Sequence, residues 1–419
     1  VAHERYIERL IALIENHTQA QPGVARAQPQ SASGTDDQPR VWILQATGAG
    51  DNRQLLNLTA ALGWPYEVKQ TLDALPWVLL DRIHKPGWRR LPARKHAELR
   101  PPWPDLVLIS GGRGVIDALR VKAASGGRSR IVCLGRPWAP LAWFDRVITT
   151  PQYRLPDSPN VVQNRLPLNC PEPTRLAAAG QAWAPRLAHL PRPWLGLLLG
   201  GDSGTYRFTP AAARALGRRV DSYVRKRGGA LLLTSSARTP HAALEALLGE
   251  LSVPRYCHRW HVDHSENPLE AILALADRFV VTADSASMLA EACSTGRPVA
   301  SFVPPLRWRA RLQARVRSSG LQQRLGSLTS LRRRWVDQWV EKGLWFPARD
   351  MGHLHAILQG DGLIRSLSAL DDGDRPDSPL PDDMERAVAS IRALFPSLVD
   401  SPADPEASVG ADFATLRST

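Results

Sequence analysis

The residues best suited to chemistry in this chain sit in short loops that leave apolar runs and enter helical patterns. In DRFVVTADSASMLAEACSTGRPV, residues 277–299, an apolar strand over Arg278–Thr282 runs into Asp284, Ser285 and Ser287, then into a short helix over Met288–Cys293. Free backbone N–H groups and the positive end of the helix dipole point together at such a start, where α/β proteins hold a phosphate. Glu291, one turn into that helix, is placed to reach a ribose. The segment reads as a nucleotide site.

Two earlier loops carry similar punctuation. GGDSGTYRFTP (200–210) and TSSARTP (234–240) each leave a strand and enter a helix through Thr-Pro, and Asn267-Pro268 opens a further helix. Thr or Asn as cap with Pro at the first helical position is a strong start signal. Gly200, Gly201, Asp202, Ser203 and Tyr206 stand where backbone must approach something closely. Ser235, Ser236 and Arg238 supply hydroxyls and a guanidinium suited to a diphosphate.

A different chemistry is available in TGAGDNRQ (47–54), which lacks the GK[ST] ending of a Walker A loop. Asp51 there has two readings. It removes a proton from an attacking hydroxyl, with Asn52 and Gln54 orienting the acceptor, or it caps the following helix. The cluster Cys257, His258, His261 and His264 matches no standard zinc spacing, and the Asp-rich run 371–374 falls in a Pro-rich tail. No metal site is expected.

The elements that must position these loops form two series. The first holds strands over 41–46, 66–69, 105–110, 130–135 and 144–150, with helices through LLNLTAALG, capped by Gly63, and VIDALRVKAA. The second opens at WLGLLLGG (194–201) and continues through ALLLTSS (230–236), HAALEALLGEL, LEAILALAD and the nucleotide segment. Alternating strands and helices imply mostly parallel, helix-covered sheets. The expected class is therefore α/β, with two Rossmann-like domains whose ligands lie outside the carboxyl ends of the strands. Expected boundaries are an amphipathic helix and flexible linker over 1–39, an acceptor-side domain over 40–172 and a Pro-rich connection over 173–193. A nucleotide-sugar-side domain over 194–370 and an acidic, Pro-rich tail over 371–419, with one helix at 383–395, complete the chain.

Composition narrows the partners. The net charge is +13, and 47 of the 53 basic residues are Arg. No acid occurs from Pro298 to Val336, where Arg307, Arg309, Arg311, Arg315, Arg317, Arg324 and Arg332–Arg334 accumulate beside Trp308 and Trp335. That stretch reads as a solvated helical face or as a contact for an anionic membrane surface or lipid phosphate. No helix-turn-helix, zinc-finger or RNA-recognition pattern supports nucleic acid. Four widely spaced Cys argue against a disulfide framework and for a reducing, cytoplasmic setting. No apolar run approaches the roughly 20 residues that span a bilayer, and VAHERYIERLIALIEN has neither the apolar core nor the cleavage site of a signal peptide.

Taken in order, GAGDNRQ with ALGWPYEVK, PPWPDLVLISGGR, GGDSGTYRFTP, TSSARTP, ENPLEAILALAD and VVTADSASMLAEACSTGRPV resemble the elongated-mitochondria (mitochondrial fission) family, whose bacterial members carry a glycosyltransferase assignment. LHAILQGDGLIRSL and the 383–395 helix match more weakly, and the resemblance spans about residues 40–395. It implies a GT-B-like fold, two Rossmann-like domains facing across a nucleotide-sugar cleft, with a C-terminal helix crossing back. SASMLAEACSTGRP is also similar to the donor-binding segment of the bacterial N-acetylglucosaminyltransferase that completes lipid II. That similarity places Ser285 and Ser287 on phosphate and Glu291 on ribose hydroxyls. The activity so implied is metal-independent transfer of a sugar from a nucleotide-diphosphate donor to a cell-envelope lipid or saccharide; the Arg-rich stretch, a departure from the family pattern, would hold the enzyme at the inner face of the plasma membrane. The resemblance carries two other readings. Plant members are associated with recruiting a dynamin-related protein to mitochondria, which implies a catalytically silent scaffold, and the same architecture serves sugar-nucleotide epimerases and hydrolases.

Overall fold

The structure, a computed structural model, describes residues 38–45, 48–70, 99–112, 114–203, 205–261, 267–308, 326–347, 349–369 and 380–396. The expected N-terminal helix and linker, most of the basic connection after Lys69 and residues 262–266 of the His-bearing loop lie outside them. So do 309–325 of the Arg-rich stretch, the Asp-rich run and the tail beyond 396.

Continuous apolar runs build the first sheet: β1 (Val41–Leu44), β2 (Tyr66–Lys69), β3 (Leu106–Ser110), β4 (Arg130–Leu134), β5 (Arg146–Thr149) and β6 (Val161–Gln163). The strands are all parallel, in the order β2-β1-β3-β4-β5-β6. β1, β3 and most of β4 are buried throughout because helices cover both faces. Alternate residues serve opposite faces. Trp42, Leu44, Val107 and Ile109 join one core, and Val41, Ile43, Leu106 and Leu108 join the other. Helix α1 (Ala49–Leu62) supplies Leu55 and Leu58 to the second core, and α2 (Val115–Ala124) supplies Val115 and Val121 to the first.

The second sheet comprises β7 (Trp194–Leu198), β8 (Ala230–Thr234), β9 (Arg255–His258), β10 (Arg278–Thr282), β11 (Val299–Phe302) and the short β12 (Arg365–Ser366). It too is wholly parallel, ordered β9-β8-β7-β10-β11-β12. Its helices are α3 (Pro173–Leu187), α4 (Pro210–Arg227), α5 (His241–Leu248), α6 (Leu269–Leu275) and α7 (Ala286–Cys293). Leu195, Leu197, Leu231, Leu233 and Val280 meet Leu216 and Val220 of α4 and Leu244 and Leu247 of α5 in its core. Two doubly wound parallel sheets are present, as the strand–helix alternation predicts.

The boundaries differ from the expected ones. One unit draws on 32–170, 318–357 and 380–419; the other includes 171–317 and 358–379. The Pro-rich stretch expected as a connection contains α3, a helix that accepts Pro173 at its start. Its Gly180 lies against Ala274 of α6, and Arg175 pairs with Glu270 at 2.7 Å, so it belongs to the second unit. Helix α8 (Gly326–Glu341) falls inside the range expected for the second domain, yet Val340 enters a core of the first unit and Glu341 accepts from Ser158 Oγ at 2.8 Å. Helix α9 (Met351–Gly360) follows it, and α10 (Asp383–Arg392) lies in the expected tail. Ala387 and Ile391 of α10 fill the core that α1 covers in the first unit.

Candidate functional site

In the second unit the strand order reverses between β7 and β10, and ligands of such sheets bind outside the carboxyl ends of the strands there. The loop after β7 crosses to the one after β10. Gly200 N–H donates to Thr282 Oγ1 at 2.7 Å, and Gly201 N–H donates to Asp284 Oδ2 at 2.9 Å. A methyl on Gly201 would sit 1.8 Å from the Arg238 carbonyl oxygen, so only glycine lets the loop after β8 pass. The close approach expected at these glycines is met by protein: Asp284 packs on Gly200 and the Arg238 backbone on Gly201.

Two guanidinium groups are aimed by buried or partly buried carboxylates. Arg238 reaches Asp284 Oδ2 at 2.9 Å, with its own side chain 44% exposed and that of Asp284 at 0%. Arg307, which follows β11, reaches Asp202 Oδ2 at 3.3 Å with 45% of its side chain exposed. Asp284 Oδ1 is buried without a hydrogen-bond partner. Asp202 and Asp284 thus fix the orientation of the two arginines. Asp202 Oδ1 also accepts from Phe208 N–H at 2.8 Å. The loops that follow β7 and β11 are tied by an isolated antiparallel bridge between Tyr206 and Leu306.

The hydroxyls have structural duties as well. Ser203 accepts from Tyr206 N–H at 3.0 Å, Ser235 from Trp260 N–H at 2.8 Å, and Ser236 donates to the Gly200 carbonyl at 3.1 Å. Thr209 caps α4 as expected, accepting from Ala212 N–H at 3.2 Å. Thr239 does not cap α5; its hydroxyl accepts from Ser236 N–H at 2.9 Å and donates to the Leu199 carbonyl at 3.1 Å. Asn267 accepts from Leu269 N–H at 3.0 Å at the start of α6. Ser285 caps α7, accepting from Met288 N–H at 3.4 Å, so the helix starts two residues earlier than expected and takes Ser287 into its first turn. Glu291 lies in that helix at 4% exposure.

In the first unit the corresponding reversal lies between β1 and β3. Helix α1 begins at Ala49, with Gly48 extended before it and no side-chain cap, so most of the expected loop is helix. Asp51 lies in the first turn and does not cap it. A methyl on Gly48 would stand 2.8 Å from Asp51 Oδ2. Ser110, at the carboxyl end of β3, hydrogen-bonds the Asp51 carboxyl, and Arg349 lies near enough to act on its charge. Burial pushes this carboxyl above its ordinary range, against the opposing pull of Arg349 and Ser110. Asn52 sits beside it on α1. Gln54 is committed elsewhere: its amide oxygen accepts from Leu168 N–H at 3.3 Å.

Sequence reasoning had counted Arg307 only within a basic run and passed over Ser110, Arg136 and Arg349. Ser110 had a readable signal, a hydroxyl at the carboxyl end of an apolar strand. Arg349 had none, since nothing local ties it to a residue so far back in the chain. A cavity of about 380 Å³ lined by Pro193, Trp194, Tyr223, Arg227, Asp277 and Arg278 lies at the amino ends of β7 and β10, away from these loops. Among the described residues no group of three or more His, Cys, Asp or Glu is arranged to hold a metal ion.

Fold and loops together define a protein of two doubly wound parallel units, each with polar residues at the carboxyl edge where its strand order reverses. Residues 49–349 match the family model described as Mitochondrial fission ELM1, and the chain belongs to that family. The Mitochondrial fission protein ELM1 of Arabidopsis thaliana is 29% identical over 219 residues, which cover 46% of this chain and 50% of that protein. The chain thus spans about half the length of this relative. Among solved structures, S. aureus MnaA with UDP is 12% identical over 76% of this chain and 95% of its own, with a TM-score of 0.39. MurG of Acinetobacter baumannii is 14% identical, covering 77% and 99%, at 0.37. A glycosyltransferase of Rickettsia africae is 9% identical, covering 87% and 100%, at 0.40.

Proposed function

We propose that this chain transfers a sugar from a nucleotide-diphosphate donor to an acceptor hydroxyl without a metal ion. The observation that carries the reading is the convergence of Gly201, Arg238, Asp284 and Arg307 at the strand-order reversal of the second sheet, with two half-exposed guanidiniums held by carboxylates. Fixed positive groups of this kind stabilise the charge of a departing diphosphate. Ser285 and Ser287 at the start of α7 would bind phosphate, and Glu291 the ribose if α7 moves to uncover it. Asp51, its carboxyl raised by burial, would take the proton of the attacking hydroxyl.

Membrane attachment is part of the reading. Helix α8 turns Val336 and Val340 into the core and leaves Trp335 and Trp339 at 62% and 50% exposure. Leu344 and Trp345, exposed by 57% and 52%, are folded back onto its end by N–H bonds to the Trp339 carbonyl at 2.8 and 3.2 Å. Exposed Trp next to an acid-free Arg run suits the interface of an anionic leaflet.

Calorimetric titration with UDP, GDP and their sugars tests the donor site. Binding that weakens at least tenfold in Arg238→Gln supports it. No binding to any nucleotide leaves a scaffold that serves a protein partner, as the mitochondrial fission name of the plant relative suggests. Binding followed only by epimerised or hydrolysed product replaces transfer with one of those reactions.

A further inference from the structure

Arg136, in the first unit, has a guanidinium with two nitrogen atoms that find no hydrogen-bond partner. It follows β4 directly after Gly135, whose φ of 81° turns the chain at the carboxyl edge of the sheet. Its Nε and Nη1 are buried and make no hydrogen bond. A guanidinium carries five N–H donors and keeps its proton in proteins, so burying it unpaired is costly. No carboxylate forms an ion pair with it among the described residues. Its surroundings are instead an aromatic ring and a second cation. The Cζ atoms of Arg136 and Arg349 lie 5.9 and 5.8 Å from the centroid of the same Tyr153 ring. Burial weighs most against the charged form of Arg136 and the charge of Arg349 adds to it, while Tyr153 opposes them. Arg349 is exposed, which leaves the cluster open to solvent on one side.

We propose that the carboxyl edge of the first sheet binds a phosphate group, gripped by Arg136 with Arg349 and the Tyr153 hydroxyl beside it. A phosphate presents several acceptor oxygens to a planar fork of donors, and its negative charge suits a guanidinium whose nearest charged neighbour is a second cation. Both arginines, Tyr153 and Asp51 come from the same unit, from the ends of different strands and the segment after α8. The site stands whether or not the chain transfers sugar. Only its attribution to a phosphorylated acceptor, held beside the Asp51 base, rests on the transferase reading.

The test is the thermal midpoint of the full chain in inorganic phosphate, glycerol 3-phosphate, and vesicles of phosphatidylcholine with or without phosphatidic acid, at constant ionic strength. A ligand of the folded state raises the midpoint with its concentration. The expected result is a rise that Arg136→Gln abolishes, Arg136→Lys retains in part, and Arg146→Gln at the amino end of β5 leaves intact. Without phosphate, Arg136→Gln should match or exceed the parent midpoint, because it removes an unpaired buried charge; a purely structural arginine would lower it. Tighter binding of glycerol 3-phosphate than of phosphate points to an organic phosphate, equal binding to the free ion, and a response confined to phosphatidic acid vesicles to a lipid headgroup. No response to any probe, or one that survives Arg136→Gln but vanishes in Arg238→Gln, overturns the proposal. UDP titration reports separately on the second unit, so a failed donor site and a failed phosphate site are told apart.

Discussion

Asp51 carries the proposed proton transfer. Burial raises its carboxyl above the usual carboxylate range, so the acid limb of the transfer rate against pH should lie above that range too. Arg349→Gln removes a charge that pulls in the opposite direction and should move the limb further up. Asp51→Asn should lower the rate by about 10²–10⁴-fold, the usual contribution of a positioned base. The linkage sign gives an independent check. A carboxyl whose folded pKa is raised stabilises the fold below its unfolded value and loses that contribution as pH rises through the folded one. Asp51→Asn should therefore raise the thermal midpoint at neutral pH and lose this advantage below about pH 4. Full activity with an unchanged pH profile would remove Asp51 from catalysis.

At the scale of elements, glycines and one buried acid hold the loops where strand propensity cannot. Gly201→Ala would drive a methyl into the Arg238 backbone. The loop after β8 must shift, at a cost of about 1–3 kcal/mol, and nucleotide affinity should fall with the misplaced guanidinium. Calorimetry and a denaturation curve on the same variant read both effects. Asp383, at the start of α10, accepts from Arg165 N–H at 2.9 Å and Leu166 N–H at 2.7 Å, and pairs with Arg386. Asp383→Ala strands two backbone donors and should cost about 3 kcal/mol, measured by urea unfolding. Such contacts explain what the sequence could and could not reveal. The strand cores and α2 were legible because apolar runs and Gly or Pro punctuation are local signals. β9 was not, since Arg255–His258 lacks an apolar run and becomes a strand by pairing with Leu231–Thr234. Helix α3 was hidden because Pro173 and Pro185 resemble a linker until Pro173 is recognised as a helix start. In the site, loop glycines and hydroxyls were visible, whereas the Asp284–Arg238 and Asp51–Arg349 relations join distant stretches that only the fold brings together.

For the molecule as a whole, the proposed membrane attachment turns on the outward face of α8. Among the described residues no helix is long and apolar enough to cross a membrane, and the proposal assigns attachment to surface side chains. Replacing Trp335, Trp339 and Trp345 together by Ser should reduce binding to phosphatidylglycerol vesicles by about tenfold or more, since buried aromatic area drives interfacial insertion. Raising salt should weaken the remaining, charge-driven part. Equal sedimentation of variant and parent with these vesicles would assign the exposed tryptophans to another partner.

The interleaved construction of the first unit bears on how the chain is made. Residues 32–170 leave the ribosome well before Val340, Ala387 and Ile391, which complete the cores on the two sides of their sheet. Domains usually fold in order of synthesis. Here the cores of the earlier sheet are completed only after the later sheet has been made, by α8 and α10. A premature stop before α10 therefore leaves the first-made sheet without the Ala387 and Ile391 side of its core.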